Sequence, residues 1–360
     1  MGTADTFQRQ ANIDLLRGIL QQDNDAARQV LLNPEYDAGT FARFARRQHI
    51  AGYCYVALMN MGILDLFSPR QAVPMKSGYI EQWSKNEKLM KTTASLHQRL
   101  EHAGIDVICL KGPLFASRYY GDIDRRAISD IDILVQPDDT DRADNVLTQA
   151  GFVRRSVVLI NRPLTVFFTH HFEYRLGEVV VELHWSLARH TAFRLDTESI
   201  WRERISMVYG GQPFGVLSEE YELVMQILSI FKDVELGSIT MKSFVDLFML
   251  LRQCHDDISW GFFFERRSKE GLRRIALNVL DLVLGLLDGR EEFPALACCL
   301  DTHSRFVVAR SGQQQTELVL DGRLWRQKIW GLRLYAAPWW KCAGWWAVSL
   351  PFRLAVYHKA

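Results

Sequence analysis

With 360 residues, 48% of them hydrophobic and 24% charged, the sequence has an ordinary globular composition and a formal net charge of +1. A charge this close to zero excludes a general affinity for long nucleic acid, because such binding needs many uncompensated Lys and Arg side chains. No apolar stretch approaches the roughly 18 uninterrupted residues that indicate a membrane-spanning helix, so none is predicted.

The cysteine pattern points to a reducing compartment. The six cysteines form no CxxC pair and show no spacing typical of a zinc site. No secretory signal is recognised at the N-terminus, so we expect a cytoplasmic protein with reduced core thiols. The six cysteines are Cys54, Cys109, Cys254, Cys298, Cys299 and Cys342.

Taken in chain order, the predicted elements are helices, then a sheet, then helices again. Apolar residues recur at helical spacing within 1–103, where a long polar helix is predicted from about Ser77 to Ala103. Within 104–217, the runs "IDVICL", "DIDILV", "LTVFFTHHFEYRL" and "EVVVELHW" predict strands. Helical spacing returns in 218–320. We therefore expect an α+β fold, with a small mixed sheet between two helical regions.

Three carboxylates are predicted to lie on one side of that sheet. In "DIDILV", Asp130 and Asp132 alternate with apolar residues, so both point to the same face. Glu182 and His184 share a face of "EVVVELHW" in the same way. If the two strands are neighbours, the acidic side chains converge, and their repulsion calls for a cation such as Mg²⁺.

A structural interpretation stands beside the metal site. Asp130 is then a turn residue at the strand entry, and Asp132 pairs with Arg125 or Arg126 on the surface. An isolated DxD tripeptide favours this interpretation. The combination of D-h-D with a later h-E-h on a second strand favours the metal site.

The turn "LKGP" predicts a place for phosphate. Gly112 permits close approach of the backbone, and Pro113 suits the first turn of a helix whose free amides face an anion. Lys111 adds a point charge for a phosphate, or is a solvated residue at the end of a strand.

The middle of the chain resembles the uncharacterised nucleotidyltransferase family of the polymerase-beta-type superfamily. The similarity lies in "LKGPLFASRYYGDIDRRAISDIDILVQPDDTDRADNVLTQAGF" and "VVVELHWSL", and extends over roughly residues 40 to 260. Members typically show a Leu-Lys-Gly turn, an arginine four residues before a D-h-D strand, and a later "ELHW". The matching positions are Leu110 to Gly112, Arg126, Asp130 to Asp132, and Glu182 to Trp185.

The resemblance implies an Mg²⁺-dependent transfer of a nucleotide monophosphate from an NTP, with ATP as the first expectation, to a hydroxyl group. The acceptor is a small molecule, a glycan precursor or a protein. Two Mg²⁺ ions would polarise the triphosphate and activate the acceptor. By the same resemblance, the metal-binding and catalytic residues are Asp130, Asp132 and Glu182, and the nucleotide-binding residues are Lys111, Gly112 and Arg126.

Three further residues are candidates for substrate contact. His184 faces the same side as Glu182, and the alternative is that it is a packing residue. His170 and His171 are consecutive on a predicted strand, so only one of them should face the site, and the family pattern favours His171. Lys242 is the third candidate, with an ion pair to Asp246 one helical turn away as the alternative.

Residues 321–360 form a basic tail that is rich in tryptophan. This composition suits the headgroup region of an anionic bilayer, or else packing on the helical body or on a partner protein. The protein is thus expected in the cytoplasm, either free or peripherally at a membrane. A competing hypothesis is a non-catalytic module of the same fold that binds nucleotide or acts as a scaffold. The three carboxylates favour the enzyme, because such a cluster is costly without a metal.

Overall fold

The first part of the chain is helical, as its apolar spacing predicts. The computed structural model describes residues 3–155, 169–188, 193–236 and 238–303. Side-chain caps mark the helix starts: Asp23 and Asp37 accept backbone N–H groups of the turn that follows, and Ser68 begins the last helix with a capping box. The helices are α1 Thr3–Gln21, α2 Asn24–Leu31, α3 Ala38–Arg47, α4 Ala51–Asn60 and α5 Pro69–His102.

Two of these helices differ from the sequence expectation. The helical stretch "FARFARRQHIAGYCYVALMNMGIL" is broken between α3 and α4, where His49 has a left-handed φ of +59°. The long polar helix begins at Pro69 rather than near Ser77, because the capping box at Ser68 supplies an earlier start. Its end at His102 agrees with the prediction.

A mixed sheet follows. The described strands are β1 Val107–Cys109, β2 Ile131–Val135, β3 Val153–Arg154, β4 His171–Leu176, β5 Val179–His184, β6 Ile205–Tyr209 and β7 Gln212–Val216. They lie in the order β3-β4-β5-β2-β1-β7-β6. β2 runs parallel to β5 and β1 parallel to β7, and the other neighbours are antiparallel.

The strands differ from the predicted ones at two places. β6 and β7 form a hairpin that the sequence patterns did not indicate, with Gly210 and Gly211 at the turn. β4 begins at His171, whereas the predicted strand begins at residue 164. Residues 156–168 lie outside the described part of the chain.

The remaining helices complete two apolar cores. Their bounds are α6 Gly112–Tyr120, α7 Thr140–Gln149, α8 Thr197–Arg202, α9 Glu219–Leu236, α10 Met241–Cys254, α11 Trp260–Glu270, α12 Arg273–Leu287 and α13 Pro294–Thr302. One core joins the N-terminal and C-terminal helices to the sheet face that carries Ile108 and Leu134. The other lies between the opposite face and α5 and α7, through Leu100 and Leu147.

The two helical regions touch directly. Arg17 on α1 donates from Nε to the backbone oxygen of Leu286 on α12, at 3.0 Å. The α+β architecture with a mixed sheet between helical regions is therefore confirmed, and both helical regions share one core.

Three of the described cysteines lie in the core. Cys54, Cys109 and Cys254 are buried and free, as expected for core thiols, whereas Cys298 is exposed. Among the described residues, no helix combines the length and the hydrophobicity that crossing a bilayer requires.

Candidate active site

The acidic cluster is built by two neighbouring parallel strands. Asp132 on β2 lies in register with Glu182 on β5, and Leu134 lies in register with His184 two residues further along. Residues at matched positions of adjacent strands point to the same face. The structure therefore brings Asp132, Glu182 and His184 together on the sheet face that looks toward the helical regions.

His184 lies between the two carboxylates. Its Nε2 is 3.0 Å from Asp132 Oδ1 and 3.2 Å from Glu182 Oε2. Burial disfavours the charged imidazole, but the hydrogen bonds to Asp132 and Glu182 outweigh it and raise the pKa of His184 to about 9. Burial also opposes ionisation of the carboxylates, yet His184 holds the pKa of Asp132 below, and that of Glu182 well below, its ordinary value. At neutral pH an imidazolium thus separates two carboxylates.

Asp130 sits beside this cluster at the entry to β2. Its Oδ1 accepts a hydrogen bond from the Ser129 hydroxyl at 2.7 Å. Burial and the nearby charge of Asp132 raise the pKa of Asp130. Asp130 is not a member of the tight group of Asp132, Glu182 and His184, whose potential ligand atoms lie within 4.8 Å of one another.

Two further histidines border the cluster. His171 on β4 pairs with His184 on β5, and its Nε2 lies 3.7 Å from Glu182 Oε1. Burial, followed by the charge of His184, lowers the pKa of His171 to about 4. The expectation that only one of His170 and His171 faces the site was wrong. His170 precedes β4 in a bend, so strand alternation does not apply to it, and its ring lies 4.6 Å from that of His171.

The Leu-Lys-Gly turn lies against the start of β2. The backbone N–H of Leu110 donates to the backbone carbonyl oxygen of Asp132 at 3.0 Å. Gly112 has a φ of +76°, which residues other than glycine rarely adopt, and a Cβ there would lie 3.7 Å from the backbone oxygen of Asp130. Lys111 contacts the hydroxyl of Ser229 on α9 and thus connects the sheet to the helices.

Sequence reasoning missed two residues of α9 at this site, Ser229 and Lys232. Ser229 is the partner of Lys111, and the charge of the exposed Lys232 acts on both Glu182 and His171. The two are three positions apart, so they share one helix face. That spacing was visible in the sequence, but nothing in the sequence places this face over the carboxylates.

Arg126 hydrogen-bonds within a buried network and not to Asp130 or Asp132. Its Nε and Nη2 donate to Oδ1 and Oδ2 of Asp246 at 2.8 and 2.9 Å. Tyr120 donates to the same carboxylate at 2.7 Å, and Lys242 at 3.0 Å. The ion pair of Lys242 with Asp246 is therefore present, and the surface pairing of Asp132 with Arg126 is not. Phosphate binding by Arg126 and substrate contact by Lys242 stay predictions.

The donor set fits a hard divalent cation. Asp132, Glu182 and the adjoining Asp130 offer carboxylate oxygens, which are the ligands that Mg²⁺ prefers. Lys111 and Lys232 add positive charge near the same carboxylates. Such a site can hold a cation together with the phosphate groups of a nucleotide.

A mixed sheet with acidic residues on adjacent strands, flanked by helices, is the arrangement that the resemblance to nucleotidyltransferases implies. The chain belongs to the uncharacterised nucleotidyltransferase family, whose sequence profile matches residues 34–288. The family predicted from the sequence motifs is therefore confirmed.

Two solved structures show weaker similarity. The crystal structure of ANT(2")-Ia in complex with adenylyl-2"-tobramycin is 11% identical, with a TM-score of 0.35, and the match covers 50% of this chain and 97% of that chain. An antigenic nucleotidyltransferase-like protein from Paracoccidioides brasiliensis is 19% identical, with a TM-score of 0.35 and coverage of 60% and 93%. No protein of curated function matches the chain.

Proposed function

We propose that the protein is an Mg²⁺-dependent nucleotidyltransferase that transfers a nucleotide monophosphate from an NTP to a hydroxyl group of its acceptor. The observation that carries this proposal is the register of Asp132 with Glu182 on parallel neighbouring strands, with Asp130 beside them. ATP is the first nucleotide to test. The acceptor is a small molecule, a glycan precursor or a protein.

Each side chain has a stated role in this proposal. Asp130, Asp132 and Glu182 would hold the Mg²⁺, which when bound neutralises phosphate charge and lowers the pKa of an acceptor hydroxyl. Lys111 offers its ammonium group to a phosphate, and Gly112 lets the nucleotide approach the backbone.

The proposed nucleotide-binding residues include one on α9. Lys232 is exposed and close enough for its charge to act on Glu182, so it can balance further phosphate charge. His184 hydrogen-bonds to Asp132 and Glu182 and fixes the orientation of both carboxylates.

His184 also gives a specific reason to consider a second function. The sequence argument held that the carboxylates need a metal to balance their charge. The imidazolium of His184 already offsets one of the two negative charges of Asp132 and Glu182, at distances of 3.0 and 3.2 Å. A non-catalytic module that binds nucleotide or acts as a scaffold would therefore be stable with these residues unchanged.

Isothermal titration of the full-length protein with ATP, with and without Mg²⁺, separates the two functions. We expect binding that requires Mg²⁺ and is lost in the double variant Asp130→Asn with Asp132→Asn, because a metal bound by carboxylates needs their charge. A matched control changes two exposed aspartates to asparagine, Asp65→Asn with Asp138→Asn, and should bind like the wild type.

The result that contradicts the enzyme is ATP binding that survives the double variant undiminished. Circular dichroism of the double variant shows whether the fold is retained. Release of pyrophosphate when candidate acceptors are added then tests the transfer itself.

A further inference from the structure

Three imidazoles meet next to the acidic cluster. His170, His171 and His184 offer nitrogen atoms that lie within 4.8 Å of one another. Their ring centroids are 4.6 Å apart for His170 and His171, 5.0 Å for His171 and His184, and 5.5 Å for His170 and His184. His171 begins β4, His170 directly precedes it, and His184 ends β5, so the antiparallel pairing of these strands brings the three together.

The two ring nitrogens of His184 differ in their hydrogen-bond partners. Nε2 contacts the carboxylates of Asp132 and Glu182, whereas Nδ1 is buried and has no hydrogen-bond partner among the residues that the structure describes. His184 is only 3% exposed, so water does not readily reach that nitrogen. A buried polar atom of this kind costs free energy unless a partner is supplied.

His171 also has one ring nitrogen near a carboxylate and one that is buried, although its carboxylate contact is longer. Its Nε2 lies 3.7 Å from Glu182 Oε1, and its Nδ1 is likewise buried without a hydrogen-bond partner within the described ranges. Histidines that bind a metal through one ring nitrogen usually direct the other toward a carboxylate or a carbonyl. The Asp132 and Glu182 carboxylates stand where such orienting groups are expected. Nε2–H of His184 keeps donating to them, and a metal at Nδ1 displaces the Nδ1 proton of the imidazolium to solvent.

We propose that His170, His171 and His184 form a second cation site, distinct from the carboxylate site, that binds a borderline divalent metal such as Zn²⁺. Imidazole nitrogen suits Zn²⁺, Ni²⁺ and Cu²⁺, whereas Mg²⁺ requires oxygen ligands. The two sites therefore differ in the metal that they select, although they are adjacent and His184 on β5 contacts the carboxylates of the other site. This proposal does not depend on the transferase activity.

The geometry needs a small adjustment on binding. Zinc–nitrogen bonds of about 2.0–2.1 Å in a tetrahedral site place the nitrogens about 3.4 Å apart. The three nitrogens already lie within 4.8 Å of one another, so any inward movement of a ring on binding is small. His170 lies in a bend before β4 and is only partly buried, so it can make this adjustment at little cost. Three nitrogen ligands leave the fourth tetrahedral position open for water or a substrate atom.

The test measures metal binding by metal-free, full-length protein that carries no histidine tag. Calorimetric titration with Zn²⁺, and visible absorption of Co²⁺ as a tetrahedral probe, give affinity and geometry. We expect one equivalent to bind, and His170→Ala and His171→Ala each to weaken binding by about tenfold or more. The exposed His102 serves as the matched control, and His102→Ala should bind like the wild type.

The proposal fails if the wild type takes up no Zn²⁺, or if His170→Ala and His171→Ala bind as the wild type does. The second result would place the metal on Asp132, Glu182 and His184 instead. His170 and His171 are partly exposed, so both variants are expected to fold, and thermal unfolding checks this. The separate measurement of Mg²⁺-dependent ATP binding distinguishes failure of this site from failure of the proposed function.

Discussion

Glu222 on α9 is a carboxylate buried in the helical core, with 2% of its surface exposed. Gln226 donates a long hydrogen bond of 3.4 Å to its Oε1. Burial raises the pKa of Glu222 to about 7, although the positive charges of Arg118, Lys111 and Arg126 act in the opposite direction. The carboxyl group is therefore protonated in mildly acidic solution, where an exposed glutamate is already ionised.

This raised pKa predicts how stability depends on pH. Below the ordinary glutamate pKa of about 4.3, both folded and unfolded chains hold the proton, and stability is unaffected. As the pH rises to about 7, only the unfolded chain releases the proton, so the free energy of unfolding falls. Glu222→Gln keeps the shape and removes the titration. We expect it to match the wild type near pH 4 and to be more stable at pH 8, by up to roughly 3 kcal/mol.

Urea unfolding of both proteins at the two pH values provides the measurement. The nearby Gln226→Glu is not a suitable control, because it adds a second buried acid. The exposed Glu35→Gln is suitable: it keeps Glu222, so its stability should fall with rising pH as that of the wild type does. A Glu222→Gln protein that is less stable than the wild type at pH 8 would instead show that the ionised carboxylate is favourably paired with Arg118.

The sequence anticipated only part of the acidic cluster. The alternation of polar and apolar residues was sufficient to place Asp130 and Asp132 on the same face of one strand. It also placed Glu182 on the polar face of a second strand. It could not give the register that sets Asp132 opposite Glu182, because register depends on contacts between distant parts of the chain. For the same reason the position of His184 between two carboxylates could not be predicted.

Asp246 connects α10 to the segment between α6 and β2. Its carboxylate accepts two hydrogen bonds from the buried guanidinium of Arg126 and one from Tyr120. Arg126 is 4% exposed and Asp246 2% exposed, so neither charge has water as an alternative partner. This contact fixes the helical region against the sheet.

Removing one member of this pair should be strongly destabilising. Asp246→Ala leaves the Arg126 guanidinium buried without a counter-charge, which costs about 3–5 kcal/mol in the free energy of unfolding. Lys242→Gln removes the more exposed partner of the same carboxylate and should cost about 1 kcal/mol or less. Guanidinium unfolding curves of the two variants measure the difference. Equal, small losses would show that the buried pair is readily replaced by solvent.

The elements themselves were predicted unevenly. Long helices with regular apolar spacing, such as α10 and α12, were recognised because their pattern repeats over several turns. The hairpin of β6 and β7 was missed although Ile205, Met207 and Tyr209 alternate along β6 and pack on the core. The two strands are short, and β7 contains Pro213 and Gly215, residue types that are depleted in strands. The bend at His170 was missed because a single irregular residue leaves no periodic signal.

The division of the chain into regions 1–103, 104–217, 218–320 and 321–360 stays a prediction. The shared core argues that the first and third of these regions fold as one unit, since their apolar residues belong to the same cluster. Residues 321–360 lie outside the part of the chain that the structure describes.

The composition of residues 321–360 still supports a prediction for the whole protein. Deleting them should reduce co-sedimentation with anionic liposomes, because six tryptophans and seven basic residues would be lost. Raising the salt concentration should weaken the electrostatic part of this binding and leave the apolar part. If the full-length protein ignores anionic liposomes even at low salt, the membrane hypothesis is wrong. Deletion would then be expected to lower thermal stability, as loss of a packed segment does.

The contact of α1 with α12 has a consequence for how the protein is made. The hydrogen bond from Arg17 to Leu286 spans 269 residues, so the first helix emerges from the ribosome long before its partner exists. At about 5–20 residues per second, α1 waits roughly 13 to 54 s for α12 to be synthesised. During that time α2, α3 and α4 can already pack on α1, but the part of its surface that contacts α12 stays uncovered. The nascent chain should therefore be a client of chaperones until translation passes residue 287.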